Sequence, residues 1–262
     1  MLKIRIISAL IALGILLLVL FVAPPLLAEV AIAFVAMAGA WEWSGLLRAP
    51  RPAVRYLFVA AVGLLLAGMH FYGDAVIEQL LFAAAVWWLS ALLWVLMYPT
   101  SVPRIIGWMA GLLILLPLFI ALRELYRIGP ETLLFVLLVV WAADVGAYFA
   151  GKLFGRVKLA PSISPGKTWE GVAGGLLTVS LIAIAGAFWF DVPMLAVVPF
   201  CIAVASLSIV GDLTVSIFKR TAGVKDSGKL FPGHGGILDR VDSVSAAAPL
   251  FALGLAWTGF IA

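Results

Sequence analysis

The sequence predicts an all-α, polytopic integral membrane bundle of about nine transmembrane helices with a cytoplasmic N-terminus. Three observations lead there. Of 262 residues, 65% are hydrophobic and only 11% are charged, whereas soluble domains carry about a quarter charged residues. Apolar runs near the length that a ~30 Å hydrocarbon core demands recur along the whole chain. The cations also fall on one side of the alternation that these runs imply.

The runs cover residues 4–23, 26–41, 56–73, 79–99, 105–122, 132–150, 171–190, 193–211 and 244–262. The first is longer than the h-region of a signal peptide and fits a spanning helix. Pro24 and Pro25 end it, since proline cannot continue a helix interior. The second run closes on Trp41-Glu42-Trp43, where both aromatics are expected at headgroup level. If all nine runs cross and the N-terminus is inside, the inner segments hold 15 of the 17 Lys and Arg. Only Arg123 and Arg127 remain outside, with Asp74, Glu78 and Asp191. That asymmetry is the positive-inside pattern, and omitting one early span would spoil it. It places an integral membrane protein, of the kind found in a bacterial inner membrane, with segments 151–170 and 212–243 both facing the cytoplasm. The chain divides into residues 1–130, about five N-terminal helices, and residues 131–262, which carry the charged loops.

Cys201 is the single cysteine and lies in an apolar run, so no disulfide framework exists. Nothing in the composition points to nucleic acid as a partner. A homodimer is carried as one candidate assembly.

The charge concentrates in Ser216–Asp242. These 27 residues hold Lys219, Arg220, Lys225, Lys229 and Arg240, three carboxylates (Asp226, Asp239, Asp242) and His234. A basic patch for anionic lipid would need only the cations; interleaved carboxylates suggest a metal or a reaction. Asp212, Ser216 and Lys219 stand at i, i+4 and i+7, one face of a helix leaving the membrane. Asp239 and Asp242 stand at i and i+3 on the last helix, where they repel unless a cation lies between them. Oxygen-only ligands favour Mg²⁺ or Mn²⁺ over zinc. Gly233 on one side and Gly235 and Gly236 on the other flank His234 in a turn where a backbone can approach a ligand closely.

Two upstream features join this stretch. Asp144 is an intramembrane carboxylate, expensive and therefore a functional candidate, on one helical stripe with Tyr148. A structural carboxylate bonded to a neighbouring helix is the plainer alternative. Gly166-Lys167-Thr168 invites comparison with a P-loop, but Pro161 stands where that pattern needs glycine. What remains is a flexible turn offering Lys167 and Thr168 to phosphate at a helix start. Glu170 in the first turn would complement the helix dipole, and Gly171, Gly174 and Gly175 would allow close helix packing. Carboxylates, phosphate-binding cations and glycine turns together suggest phosphoryl or nucleotidyl transfer. A transporter or channel with a cytoplasmic metal or phosphate site is the alternative.

The run Ser216-x-Phe218-Lys219-Arg220, Lys225-Asp226-x-Gly228, Phe231-Pro232-x-His234-Gly235-Gly236-Ile237-x-Asp239-Arg240-Val241-Asp242 resembles the signature of the phosphatidate cytidylyltransferase family. Ser164–Gly171 and Asp144 with Tyr148 resemble it too. The specific match covers the C-terminal half; the first 130 residues resemble the family only as membrane helices. The resemblance implies an enzyme that condenses CTP with phosphatidic acid, giving CDP-diacylglycerol and pyrophosphate, with Mg²⁺ required and room for a second cation. On that basis Asp212, Asp239 and Asp242, with Asp144 below them, are expected to hold metal. Lys219, Arg220, Lys225 and Arg240 would clamp phosphates beside Asp226, with Lys167, Thr168, Ser216, Tyr148, Gly235 and Gly236 lining the substrates. His234 would position a phosphate.

Overall fold

A computed structural model describes residues 2–47, 51–71, 73–100, 102–228 and 235–258; the side chains of 2–9, 70 and 74 fall outside the described set. Among these residues there are nine α-helices: α1 (Leu2–Phe21), α2 (Pro25–Leu46), α3 (Pro52–Gly68), α4 (Asp74–Met97), α5 (Arg104–Ile128), α6 (Pro130–Phe154), α7 (Trp169–Trp189), α8 (Met194–Thr221) and α9 (Leu238–Thr258). Proline sits in the first turn of α2, α3 and α6, where its missing N–H is no loss.

The nine helices match the nine apolar runs; among the described residues seven of them, α2 and α4 to α9, are long and apolar enough to cross a membrane, while α3 (Pro52–Gly68) and the stretch Leu10–Phe21 of α1 are shorter apolar segments. Large apolar side chains such as Phe34, Leu93, Leu177 and Leu195 point outward, as lipid rather than water would permit.

The bundle centres on α5 and α9, with 67% of the most apolar window of each enclosed by neighbours. Helix α9 packs on α8, α5, α4, α6 and α2. It is also rich in polar and small residues (Asp239, Asp242, Ser243, Ser245, Ala246–Ala248), which explains its central place: such a face is costly against lipid. One apolar cluster runs through residues of α2 to α9, with Cys201 buried inside it as expected.

Small residues set the closest approaches. On α7, a Cβ at Gly171 would meet the Ala147 carbonyl oxygen at 2.9 Å, and one at Gly175 the Ala143 carbonyl oxygen at 2.7 Å. Ala143 and Ala147 on α6 face Gly171 and Gly175 on α7 at the same four-residue spacing, the small-residue seam that lets membrane helices touch along their backbones. Gly211 plays the same part between α8 and α9, 2.7 Å from the Asp242 carbonyl oxygen on this measure.

Segment 155–168 is not the flexible turn that the sequence suggested. Lys158–Ala160 and Ser164–Thr168 form a two-stranded antiparallel hairpin, β1 and β2, whose tip residue Ile163 packs on Leu213 and Ile217 of α8. Trp43 departs from expectation as well. It is fully buried, donating from Nε1 to the Gly107 carbonyl at 2.9 Å, while Trp41 alone stays at the surface beneath the Arg55 guanidinium (3.5 Å).

Replacing Gly175 by leucine should separate α6 from α7. A loss of about 1–3 kcal/mol, the usual range for overpacking, is expected as a lower unfolding midpoint in detergent; an unchanged midpoint would contradict the seam.

Candidate active site

The site forms where α8 leaves the bundle and α9 enters it. Helix α8 stops at Gly223, whose φ of 69° places it in the left-handed region. The Val224 N–H reaches back to the Lys219 carbonyl and Gly223 N–H to the Arg220 carbonyl, a glycine-dependent helix end. Phe218 is wedged between Trp43 of α2 (centroids 4.5 Å apart) and Trp94 of α4 (5.4 Å). The aromatic pair fixes the rotation of α8, and rotation decides where the next residue points.

That residue is Lys219. It is buried, and its Nζ lies 2.9 Å from Asp239 Oδ1 and 3.6 Å from Asp242 Oδ2. The cation required between the two α9 carboxylates is therefore supplied by the chain itself. Asp239 Oδ2 accepts from Ser227 N (2.8 Å) and Gly236 N (2.9 Å). Gly235, at φ 84°, turns the backbone just before α9, and a Cβ there would lie 2.8 Å from Asp239 Oδ2. The expected face of α8 is present: Ser216 Oγ donates to Asp212 Oδ1 at 3.2 Å.

The hairpin brings in the second lysine. Lys167 Nζ meets Asp212 Oδ2 at 2.7 Å, and Arg220 Nε donates to the Ile163 carbonyl at 3.2 Å. Thr168 is buried and caps α7, its Oγ1 accepting from Gly171 N. Glu170 accepts from Val157 N at 3.2 Å, so it clips the hairpin to α7 instead of merely facing the dipole. Asp144, on α6, is exposed. It lies within electrostatic reach of Asp212, Asp242, Lys167 and Arg240. Tyr148 is exposed one turn along α6, under the Lys152 ammonium at 5.8 Å. Lys225, Asp226 and Arg240 are exposed at the rim. His234 and Lys229 lie outside the described residues.

The structure ties one further residue to the site that the spacing did not reveal: Glu42. It belongs to α2, in the half of the chain read as membrane helices only, and is 5% exposed. Its Oε1 accepts from Ile237 N (3.0 Å), and its Oε2 from Leu238 N and Ser227 Oγ (both 2.8 Å). Gly228 and Gly236 make room for it, since a Cβ at either would collide with the carboxylate. The signal was available. A carboxylate at the end of an apolar run is functional by default, but the two tryptophans beside it drew the assignment to headgroup level.

Three of the carboxylates have both oxygens engaged: Asp212 by Ser216 and Lys167, Asp242 by Ser243 N and Lys219, and Asp239 by Lys219 and two backbone N–H groups. Asp144, Asp212 and Asp242 repel one another and offer oxygen alone, a donor set that fits a hard divalent cation. Among the described residues no three such side chains converge closely on one point.

Fold and site thus define a polytopic membrane protein with two neighbouring lysine–carboxylate groups at one end of its central helices. The cytidylyltransferase family model matches residues 3–257, and the chain belongs to that family. A phosphatidate cytidylyltransferase of Haemophilus influenzae is 38% identical over 96% of this chain and 97% of its own length. One from Pseudomonas aeruginosa is 42% identical over 98% and 97%. A Brucella suis relative of the same name is 48% identical over about half of each chain (48% and 47%). Membership displaces the transporter or channel alternative.

Lys219→Met should cost about 3–5 kcal/mol of stability, the range for removing one partner of a buried ion pair. The check is an unfolding midpoint in detergent, where a loss no larger than that of Arg127→Ala, whose pair with Glu124 is half exposed, would contradict the buried network.

Proposed function

We propose that this chain transfers the cytidylyl group of CTP to phosphatidate, releasing pyrophosphate and leaving CDP-diacylglycerol in the membrane. The observation that carries the reading is two neighbouring ion-pair groups at the ends of α8 and α9, Lys167–Asp212 and Lys219 with Asp239 and Asp242, within electrostatic reach of each other, in a chain whose near-full-length relatives bear that name. The site is placed on the cytoplasmic face of a bacterial inner membrane, where CTP is available, in line with the positive-inside count.

The chemistry asks little of a base. A phosphatidate oxygen, already anionic, forms the new bond to the α-phosphorus of CTP as the bond to the bridging α–β oxygen breaks, and pyrophosphate departs with that electron pair. What opposes the reaction is repulsion between anions, and what promotes it is alignment. Lys219 and Lys167 supply positive charge whose position is fixed by Asp239, Asp242 and Asp212. Arg220, Lys225 and Arg240 at the rim receive the phosphates leaving the active centre, and Arg220 retains donors beyond the one spent on Ile163. One or two of Asp144, Asp212 and Asp242, together with substrate phosphates, would hold a Mg²⁺, which would neutralise triphosphate charge. Asp239 acts differently, orienting Lys219 toward the substrates. Tyr148 and the exposed apolar side chains of α6 beside it, such as Phe149 and Leu153, would let acyl chains reach the site from lipid. Each chain carries the complete set, so a homodimer would hold two sites.

Purified protein in lipid nanodiscs should convert labelled CTP and phosphatidate into pyrophosphate and CDP-diacylglycerol, and a chelator should stop it. Asp212→Asn and Asp242→Asn should each lower kcat by about 10²–10³, the loss typical of one preorganised electrostatic group. Absence of product from the parent protein, or full turnover of both variants at limiting Mg²⁺, would overturn the reading.

A further inference from the structure

The cluster is completed by a residue from the other half of the chain. We propose that Glu42 is the positioning residue of this enzyme: from α2 it holds the entry of α9 and, through that entry, the lysine–carboxylate cluster. The inference rests on the proposed reaction and adds to it a residue from outside the signature.

The geometry is a relay of bonded groups. The Glu42 carboxylate binds the first two amides at the α9 start (Ile237 and Leu238) and the Ser227 hydroxyl. Ser227 and Gly236 in turn donate their own amides to Asp239 Oδ2. Asp239 Oδ1 holds Lys219, and Lys219 reaches Asp242. Glu42 and Asp239 thus hold the same two segments, 227–228 and 236–238, to each other. Joining the residues after α8 to the start of α9 sets the distance between these helices at the site.

Chemistry explains why a glutamate stands there. The first N–H groups of a helix have no partner within it, and its N-terminus carries partial positive charge. A carboxylate answers both, with two oxygens for three donors. Glutamine would offer one acceptor and turn an N–H₂ toward donors. Aspartate is one methylene short of donors that Glu42 reaches at 2.8–3.0 Å. Gly228 and Gly236 complete the fit: both lie against the carboxylate where no side chain can stand. A stabilising cap alone would not need two glycines aligned on the same carboxylate from both ends of one loop.

The test separates positioning from mere stability. Glu42→Gln and Glu42→Asp should lower kcat by about 10²-fold, as expected when reacting groups shift by about 1 Å, with the KM for CTP within about threefold of the parent. Rates are taken per folded molecule, on monodisperse protein well below its unfolding midpoint. Gly236→Ala should lower kcat by at least about tenfold in the parent but by less than about threefold in a Glu42→Ala background, because contacting residues are not additive. Amide exchange at Ile237 and Leu238 should quicken in Glu42→Gln whether or not turnover is measured. Glu78→Gln is the control: that carboxylate bonds Trp257 at the far end of α9 and should leave kcat unchanged. Parent-like kcat per folded molecule in Glu42→Gln, or additive Gly236 and Glu42 effects, would overturn the proposal. An inactive parent with quickened exchange in the variant would fault the reaction assigned and leave the contact standing.

Discussion

An ammonium group enclosed in an apolar bundle has to be neutralised where it stands, and Lys219 sets that condition for the rest of the structure. Its charge calls for Asp239 and Asp242, which must come from one helix face only three residues apart. Asp239 then has an oxygen to spare, and two backbone amides from the loop take it. For α9 to bring these groups so close, α8 has to present glycine at position 211, where the backbones nearly touch. Phe218, held between Trp43 and Trp94, keeps α8 turned so that Lys219 faces inward. Much of what surrounds the site thus follows from placing one cation out of reach of lipid.

The arrangement also explains why charge is sparse elsewhere. Burying an ion pair costs several kcal/mol for each ion before geometry returns any of it. A membrane bundle tolerates that expense where chemistry needs it. Here, the carboxylates of Asp144, Asp212 and Asp242 stand close enough to repel one another, with Lys167 and Lys219 interposed. Such a cluster is poised for anionic substrates: the lysines are already fixed, and the repelling carboxylates favour a bound cation. Preorganisation of this kind is where charge stabilisation is most effective.

Much of this could be read in the sequence. The helix order, the shared face of Asp212, Ser216 and Lys219, the pairing of Asp239 with Asp242 and the close packing through Gly171 and Gly175 all follow from helical spacing and residue size. What spacing cannot express is contact between distant segments. The hairpin of 158–168 depends on pairing with little apolar alternation to announce it, and its anchor is Ile163 on α8. Trp43 looks like an interfacial aromatic until α5 is seen to cover it. Glu42 lies almost two hundred residues from the amides it binds, and Gly236, which in the sequence suggests close approach to a ligand, makes room for it. Nor does spacing reveal that the Thr168 hydroxyl oxygen accepts from Gly171 in the helix that follows it.

The central claim is that substrate phosphates and metal meet at the lysine–carboxylate cluster of α8 and α9. A structure of the protein with Mg²⁺ and a CTP analogue that cannot transfer its cytidylyl group tests it most directly. The account predicts the triphosphate in contact with Lys219 or Lys167 and the metal on Asp212 and Asp242, with Asp239 still bonded to Ser227 and Gly236. A nucleotide bound away from all of these residues would contradict it.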